Sequence, residues 1–281
     1  MRGHRRLFKS FFNGLIFVTL GGQALAEVPQ DELKICAAQN EPPYSMKDGT
    51  GFENRIAVAL AAAMDRKPVF VWSEKPAIYL VRDYLDKKAC DVVIGIDSGD
   101  QRVQTSLPYY RSSYVFISRA DQDLDVDSWH DQRLLKTGHI AVSFGSPGEV
   151  MLKEIGKYED NMAYLYSLVN FRSPRNQYTQ IPPARLVSEV VMGNADIAVA
   201  FAPEVGRYIK NSTTPLRMAV IKEDVLRSDG SPMAFQYDQS IGIRKDDNVL
   251  LQAVNAGLEK ARPQILKILT DEGVPVIHKG T

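Results

Sequence analysis

The sequence predicts an α/β protein made of two doubly wound lobes that are joined by a two-strand hinge. Short apolar strands alternate with amphipathic helices along most of the chain, which is the pattern of a parallel sheet covered by helices. This alternation occurs twice, so it predicts two units rather than one. Two extended segments with alternating apolar residues, one between the units and one late in the chain, predict two crossings between them.

The first unit is predicted to be a strand-helix-strand-helix-strand arrangement. Its three strands are expected at residues 33–38 (LKICAA), 68–72 (PVFVW) and 90–96 (CDVVIGI). A helix is expected at residues 56–64 (IAVALAAAM), and a second at residues 77–88, where Tyr79, Leu80, Tyr84 and Leu85 fall on one face.

The second unit repeats the arrangement. A strand at residues 139–144 (HIAVSF) leads through a Gly-Ser-Pro-Gly turn into a helix that begins near Glu149. A further helix at residues 183–192 ends at Gly193, because glycine commonly follows the last turn of a helix. The remaining strands are expected at residues 196–201 (DIAVAF) and 216–221 (LRMAVI).

The hinge is expected near residues 114–119 (YVFISR) and 235–244, which include the similar segment QSIGIR. Two C-terminal helices, separated by a break at Pro263, are expected to pack back on the first unit. The predicted boundaries therefore place residues 27–117 and 240–281 in lobe one and residues 118–239 in lobe two.

The first 26 residues have the composition of a cleaved export signal. Four basic residues precede an apolar stretch, and Ala24 and Ala26 give the small-x-small pattern before a cleavage site at Glu27. The alternative is an uncleaved anchor, but the apolar stretch is shorter than the ~20 residues that span a bilayer. No later stretch is longer, so we expect an exported, periplasmic protein that is not embedded in the membrane.

Charge argues against nucleic acid as a partner. The leader holds four of the 34 basic residues and none of the 34 acidic ones, so the mature chain has 30 against 34 and a net charge of −4. A mildly acidic protein has no electrostatic attraction for phosphate backbones.

Cys36 and Cys90 are expected to form a disulfide. Export to an oxidising compartment favours this pairing over two buried thiols, and the two residues lie on neighbouring strands if the first and third strands are adjacent. A bridge closing a loop of about 55 residues stabilises by roughly 4 kcal/mol in the chain-entropy account.

Catalytic and metal-binding patterns are lacking in the sequence. It contains no G-x-S-x-G, H-E-x-x-H or phosphate-binding loop motif. The three histidines of the mature chain, His130, His139 and His278, are not paired at metal-ligand spacing. We therefore expect no catalytic residue, no metal and no cofactor.

Several strings of residues resemble a known family. They are Cys36 with residues 40–45 (NEPPYS), then residues 51–57 (GFENRIA), 90–95 (CDVVIG), 108–116 (PYYRSSYVF), 196–200 (DIAVA) and 273–275 (GVP). With the order of elements, they resemble the type-two periplasmic solute-binding proteins that serve ABC transporters. They are most similar to the branch encoded beside quinoprotein alcohol dehydrogenases, the J proteins of methanol-oxidation clusters.

The resemblance implies candidate ligand-binding residues. Arg102 stands where relatives clamp a ligand carboxylate, although pairing with Asp97 or Asp100, or simple exposure to solvent, would equally explain it. Ser146 stands where relatives present a hydroxyl and N–H groups to an anion, although a helix cap explains it as well. The remaining candidates for the cleft are Tyr44, Phe52, Asp97 and Phe201.

Phe201 departs from the family pattern. Amino-acid-binding relatives place an acidic residue there for the ligand ammonium, and a phenyl ring carries no charge that could replace it. The sequence therefore predicts that free amino acids do not bind with transport-grade affinity.

The resemblance implies a non-catalytic accessory of a PQQ-dependent methanol or alcohol dehydrogenase, whose partner is that dehydrogenase or its assembly machinery. A calcium-dependent and a lanthanide-dependent dehydrogenase both remain open as the partner. The alternative is a receptor that delivers a small non-amino-acid solute to an ABC transporter. A third hypothesis, an exported enzyme that reuses the fold as some dehydratases do, lacks an acid-base pair in the sequence.

Overall fold

The computed structural model describes residues 31–169, 181–222 and 225–278. The predicted export signal, residues 1–26, lies outside the described residues, so its cleavage stays a prediction. None of the helices in the described ranges has the length and apolar content needed to cross a membrane.

The N-terminal part of the chain forms most of the first lobe. Its elements, in chain order, are β1 (Glu32–Ala38), β2 (Asn40–Glu41), β3 (Ser45–Met46), α1 (Phe52–Ala63), β4 (Lys67–Ser73), β5 (Val92–Asp97) and β6 (Gln104–Thr105). β1 lies between β4 and β5 and pairs in parallel with both. The prediction that the first and third strands are neighbours is therefore confirmed.

The following elements build the second lobe and return to the first. They are β7 (Tyr110–Arg119), β8 (Ile140–Val142), α2 (Pro147–Glu154), α3 (Tyr158–Leu168), α4 (Pro183–Val191), β9 (Ile197–Phe201), α5 (Ala202–Lys210), β10 (Leu216–Val220), β11 (Val225–Leu226), β12 (Pro232–Met233), β13 (Gln236–Ile243) and α6 (Asn248–Asp271). The second sheet has the order β8-β9-β7-β10. All strands of residues 139–221 predicted from the sequence are present, some a few residues shorter than predicted.

β7 connects the two lobes. Its first residues pair with β13, which lies beside β5 in the first lobe, and its later residues pair with β9 and β10 in the second lobe. The strand pairing is therefore continuous through β7, while the chain crosses a second time before β13. The apolar residues form separate cores on the two sides of this connection. The boundaries at residues 117/118 and 239/240 remain our proposal.

Two helix predictions need correction. Residues 77–88 form a short 3₁₀ helix, Ala77–Tyr79, and a π-helix, Val81–Leu85, instead of a regular α-helix. The C-terminal region is one helix of 24 residues that continues through Pro263. A proline inside a helix costs about 3 kcal/mol, but one stripe from Leu250 to Leu269 is buried against the first lobe on both sides of it, and this burial offsets the cost.

Cys36 and Cys90 form the predicted disulfide, with Cα atoms 5.5 Å apart and 54 residues apart in sequence. Cys36 lies in β1, and Cys90 lies just before β5, the strand that pairs with β1. The bridge therefore joins neighbouring strands, as the sequence predicted.

An ionic contact holds the lobes together. Glu272, directly after α6, pairs with Arg55 of α1 and with Arg207 of α5. Arg207 also donates to the carbonyl of Thr50, and the backbones of Gly206 and Gly273 approach so closely that a Cβ on either would overlap the other. We call the contact of Glu272 with Arg55 and Arg207 the Glu272 latch.

Candidate functional site

A cavity of about 290 Å³ opens at the carboxyl ends of β1 and β5. Crevices outside the carboxyl ends of parallel strands are where open α/β sheets bind ligands. The N-terminal turn of α1 and the segment around Ala77 complete the first-lobe wall, and Phe201 at the end of β9 contributes from the second lobe. The cavity therefore lies between the lobes.

A second cavity of about 240 Å³ adjoins the first on the side of the second lobe. Glu41 and Tyr44 line both cavities. Tyr114, Ser146 and Glu204 line only the second. The two cavities thus form one cleft, with Glu41 and Tyr44 at its middle.

The structure brings most of the predicted site residues into this cleft. Tyr44, Asp97, Arg102 and Phe201 line the first cavity, and Ser146 lines the second. Phe52 needs correction, because its fully buried ring packs behind Tyr44, at 5.1 Å between centroids, and lines neither cavity. It begins α1, and its burial in the first-lobe core explains it without a ligand.

Arg102 is already paired. Its Nε donates to both carboxylate oxygens of Asp100 at 3.1 Å, and its Nη2 donates to one of them at 2.6 Å. This is one of the two pairings that the sequence left open. A guanidinium held in this way has less to offer a ligand carboxylate than a free one.

Ser146 caps α2. Its hydroxyl donates to the carbonyl of Ser143 at 2.6 Å and accepts from the N–H of Glu149 at 3.3 Å. The Glu149 carboxylate also accepts from the N–H of Gly145 at 2.6 Å. The protein's own carboxylate therefore lies where an anionic ligand would meet this helix N-terminus.

Phe201 belongs to an aromatic group on the second-lobe side of the cleft. Its ring centroid lies 5.5 Å from that of Tyr114 and 5.9 Å from that of Tyr237. These separations are typical of packed aromatic pairs. Phe201 thus presents an apolar wall to the cavity.

Three glutamates of the cleft were missed by sequence reasoning. Glu41 ends β2 and its carboxylate accepts from the N–H of Ala77 at 2.7 Å. Glu53 lies in the first turn of α1, against Gly95 of β5, where a Cβ would overlap its carboxylate. Glu204 lies in the first turn of α5. Their only sequence signal is that each stands close to a predicted cleft aromatic.

The pKa values of these carboxylates are shifted upward. Burial raises the pKa of Glu41, and burial together with the charge of Glu41 raises the pKa of Glu53 well above its usual range. Burial and the Glu41 charge also raise the pKa of Glu204 to about 7. Desolvation and like charge both favour the neutral acid, so the cleft crowds three carboxyl groups whose ionisation is disfavoured until a positive charge lies beside them.

Comparison with known families identifies the fold and its class. The family model of bacterial extracellular solute-binding proteins, family 3, matches residues 33–268, which is most of the chain. The chain is a family 3 solute-binding protein. The cleft between its lobes is therefore in the position where such a fold holds a ligand.

Two curated relatives are similar to this solute-binding protein over most of its length. It is 61% identical over 245 residues to a protein named MoxJ from Methylorubrum extorquens, covering 87% of this chain and 81% of that one. It is 42% identical over 264 residues to a MoxJ from Paracoccus denitrificans, covering 94% and 95%. The resemblance to the J proteins is confirmed.

Two solved structures also resemble this solute-binding protein. The crystal structure of MxaJ from Methlophaga aminisulfidivorans MPT is 51% identical, covers 87% of this solute-binding protein and all of that chain, and has a TM-score of 0.83. The periplasmic binding protein XoxJ from Methylobacterium extorquens AM1 shares the fold, with 22% identity and a TM-score of 0.64 over 88% of this chain.

Proposed function

We propose that this chain is a non-catalytic periplasmic binding protein associated with methanol oxidation, and that it acts as an accessory or partner of a PQQ-dependent methanol or alcohol dehydrogenase. The observation that carries the proposal is its 61% and 42% identity to two MoxJ proteins over most of both chains. The partner is the dehydrogenase or its assembly machinery. Tyr44, Asp97 and Phe201 are proposed to contact whatever enters the cleft.

The cleft rim is a suitable contact surface for a protein partner. Ile78 lines the first cavity, yet 65% of its surface is exposed. An exposed apolar side chain at the mouth of a polar cavity can be buried by a partner, which gains about 25 cal/mol for each Å² of apolar surface removed from water.

Burial beside Glu41 accounts for the raised pKa of Glu204 without acid–base catalysis.

The proposal is tested by affinity capture from the periplasm of the source organism, in which retained proteins and small molecules are identified together. We expect the quinoprotein dehydrogenase to be retained by the wild-type protein and much less by Ile78→Asp. Val249→Asp is the matched control, because Val249 is 82% exposed at the start of α6 and lines neither cavity.

Retention of a small solute with no dehydrogenase would instead support the alternative, a receptor of an ABC transporter. The cavity of about 290 Å³ is large enough for a small ligand. Equal retention of the dehydrogenase by both Asp variants would show that the partner does not contact the cleft rim.

A further inference from the structure

Among the side chains that line the cleft, carboxyl groups far outnumber basic groups. The two cavities are lined by five carboxylates: Glu41, Glu53, Asp97, Asp100 and Glu204. Among the described lining residues, Arg102 alone is cationic, and it is paired with Asp100. A ligand carboxylate would therefore meet no free positive charge from the described part of the wall, while a ligand cation would meet several carboxylates.

An unsatisfied hydroxyl lies among these carboxylates. Tyr110 is 4% exposed, and its hydroxyl has no hydrogen-bond partner among the described residues. Burial raises the pKa of Tyr110 well above its usual range, and the charges of Glu53, Asp97 and Glu204 add to this shift. Buried polar atoms are nearly always hydrogen-bonded, so this hydroxyl is an exception. Tyr110 lines neither cavity, however, so its hydroxyl lies behind the cleft wall, close to the carboxylates but not itself a contact for a ligand.

The aromatic rings fit the same kind of ligand. Tyr44 lies at the middle of the cleft, and Phe201, packed on Tyr114 and Tyr237, forms its opposite wall. The faces of such rings attract cations, and more strongly when water is excluded. Amino-acid-binding relatives have an acidic residue at the position of Phe201. The ring of Phe201 can nevertheless attract a cation.

The arrangement does not fit a metal ion. Among the described residues, no group of three or more His, Cys, Asp or Glu side chains could hold one. The carboxylates are instead distributed around a cavity of about 290 Å³, which suits an extended organic cation with several N–H donors.

We propose that the cleft binds an alkylammonium or alkylguanidinium group that has no carboxylate beside it. Such a group occurs in free amines and in the lysine and arginine side chains of a polypeptide. Free amino acids are then rejected because the described wall has no free cation for their carboxylate, and not because it lacks a countercharge for their ammonium. The proposal rests on the role of this protein as a binding protein but not on its having a dehydrogenase partner.

The test is isothermal titration calorimetry of the mature protein with agmatine and arginine, which differ only by a carboxylate. We expect agmatine to bind at least tenfold more tightly than arginine. Glu41→Gln and Glu204→Gln should each weaken agmatine binding about tenfold or more, because each removes a hydrogen bond between a charged donor and a charged acceptor. Glu259→Gln is the control, because this exposed glutamate of α6 lines neither cavity.

A second series uses a short capped peptide containing one arginine and the same peptide containing citrulline, which has no charge. Tighter binding of the arginine peptide than of agmatine would identify a polypeptide as the source of the cation, and the reverse order would identify a free amine. Arginine binding as tightly as agmatine, affinities unchanged in both glutamine variants, or no binding of agmatine or the arginine peptide would overturn the proposal. Capture of the dehydrogenase is measured separately, so either proposal can fail alone.

Discussion

The Glu272 latch offers a test of what holds the lobes together. The Glu272 side chain is 8% exposed, and it accepts from Arg207 Nε at 2.7 Å and Nη2 at 3.0 Å as well as from Arg55. Arg207 belongs to the second lobe, whereas Glu272 and Arg55 belong to the first. The substitution Glu272→Gln keeps the size of the side chain and removes its charge, so it isolates the ionic contribution.

The expected loss follows from the exposure of the partners. Removing one member of a fully buried ion pair costs about 3–5 kcal/mol. Arg55 and Arg207 keep 36% and 23% of their side-chain surface exposed, so water can solvate them once the carboxylate is gone. We therefore expect Glu272→Gln to lower the free energy of unfolding by about 2–3 kcal/mol, which corresponds to a fall of about 4–12 °C in Tm for a protein of this size.

Urea denaturation followed by circular dichroism measures this change, with thermal unfolding as a second readout. The matched control is Glu259→Gln, which breaks an exposed pair with Arg262 on the same helix, with both side chains more than half exposed. Pairs of that kind contribute about 0–1 kcal/mol. Equal losses in the two variants would refute the reasoning, because burial of Glu272 would then have no energetic effect.

Two further predictions concern stability. The pKa of Glu204 is about 7 in the folded protein and 4.5 in a free glutamate, so the folded state binds the proton of Glu204 more tightly than the unfolded state does. The stabilisation from this proton is therefore complete below about pH 4.5 and is lost as the pH rises through 7. Glu204→Gln should therefore reduce the stability lost between pH 5 and pH 8 by about 1–3 kcal/mol in urea titrations at each pH, and an identical loss in both proteins would contradict this. Thiol titration of denatured, unreduced protein from the periplasm should find no free cysteine, and Cys36→Ala with Cys90→Ala should lower the free energy of unfolding by about 2–4 kcal/mol; two reactive thiols would contradict the bridge.

The strand order was predictable because it depends on short apolar runs and on rules of connection that hold for most α/β sheets. The strands 33–38 and 90–96, and the disulfide between them, follow from that pattern. The continuity of the C-terminal helix at Pro263 was not predictable from the sequence, because a proline inside a helix ordinarily breaks or kinks it. Only the buried stripe from Leu250 to Leu269, which the folded first lobe supplies, decides the outcome.

The cleft shows a similar limit. The family resemblance identified Tyr44, Asp97 and Phe201 as candidate residues of the cleft, because each lies within a recognisable string or within two residues of its end. The prediction about amino acids considered only the missing carboxylate at position 201 and no other acidic residue of the cleft. Glu204, three residues later, places its carboxylate in the second cavity because a residue in the first turn of α5 can still face the cleft. The electrostatics of the site depend on segments that only the fold brings together.

The latch and the cleft are linked by the same electrostatics. Burial raises the pKa of Glu204 in the second lobe, and the charge of Glu41 in the first lobe raises it further. The two carboxylates, when both are ionised, therefore repel each other across the cleft. The Glu272 latch is an attraction between the same two lobes, and it opposes that repulsion. A cation between Glu41 and Glu204 would replace the repulsion by two attractions. Its binding energy would therefore act in the same direction as the latch, so cation binding would favour the arrangement of the lobes that the latch already holds.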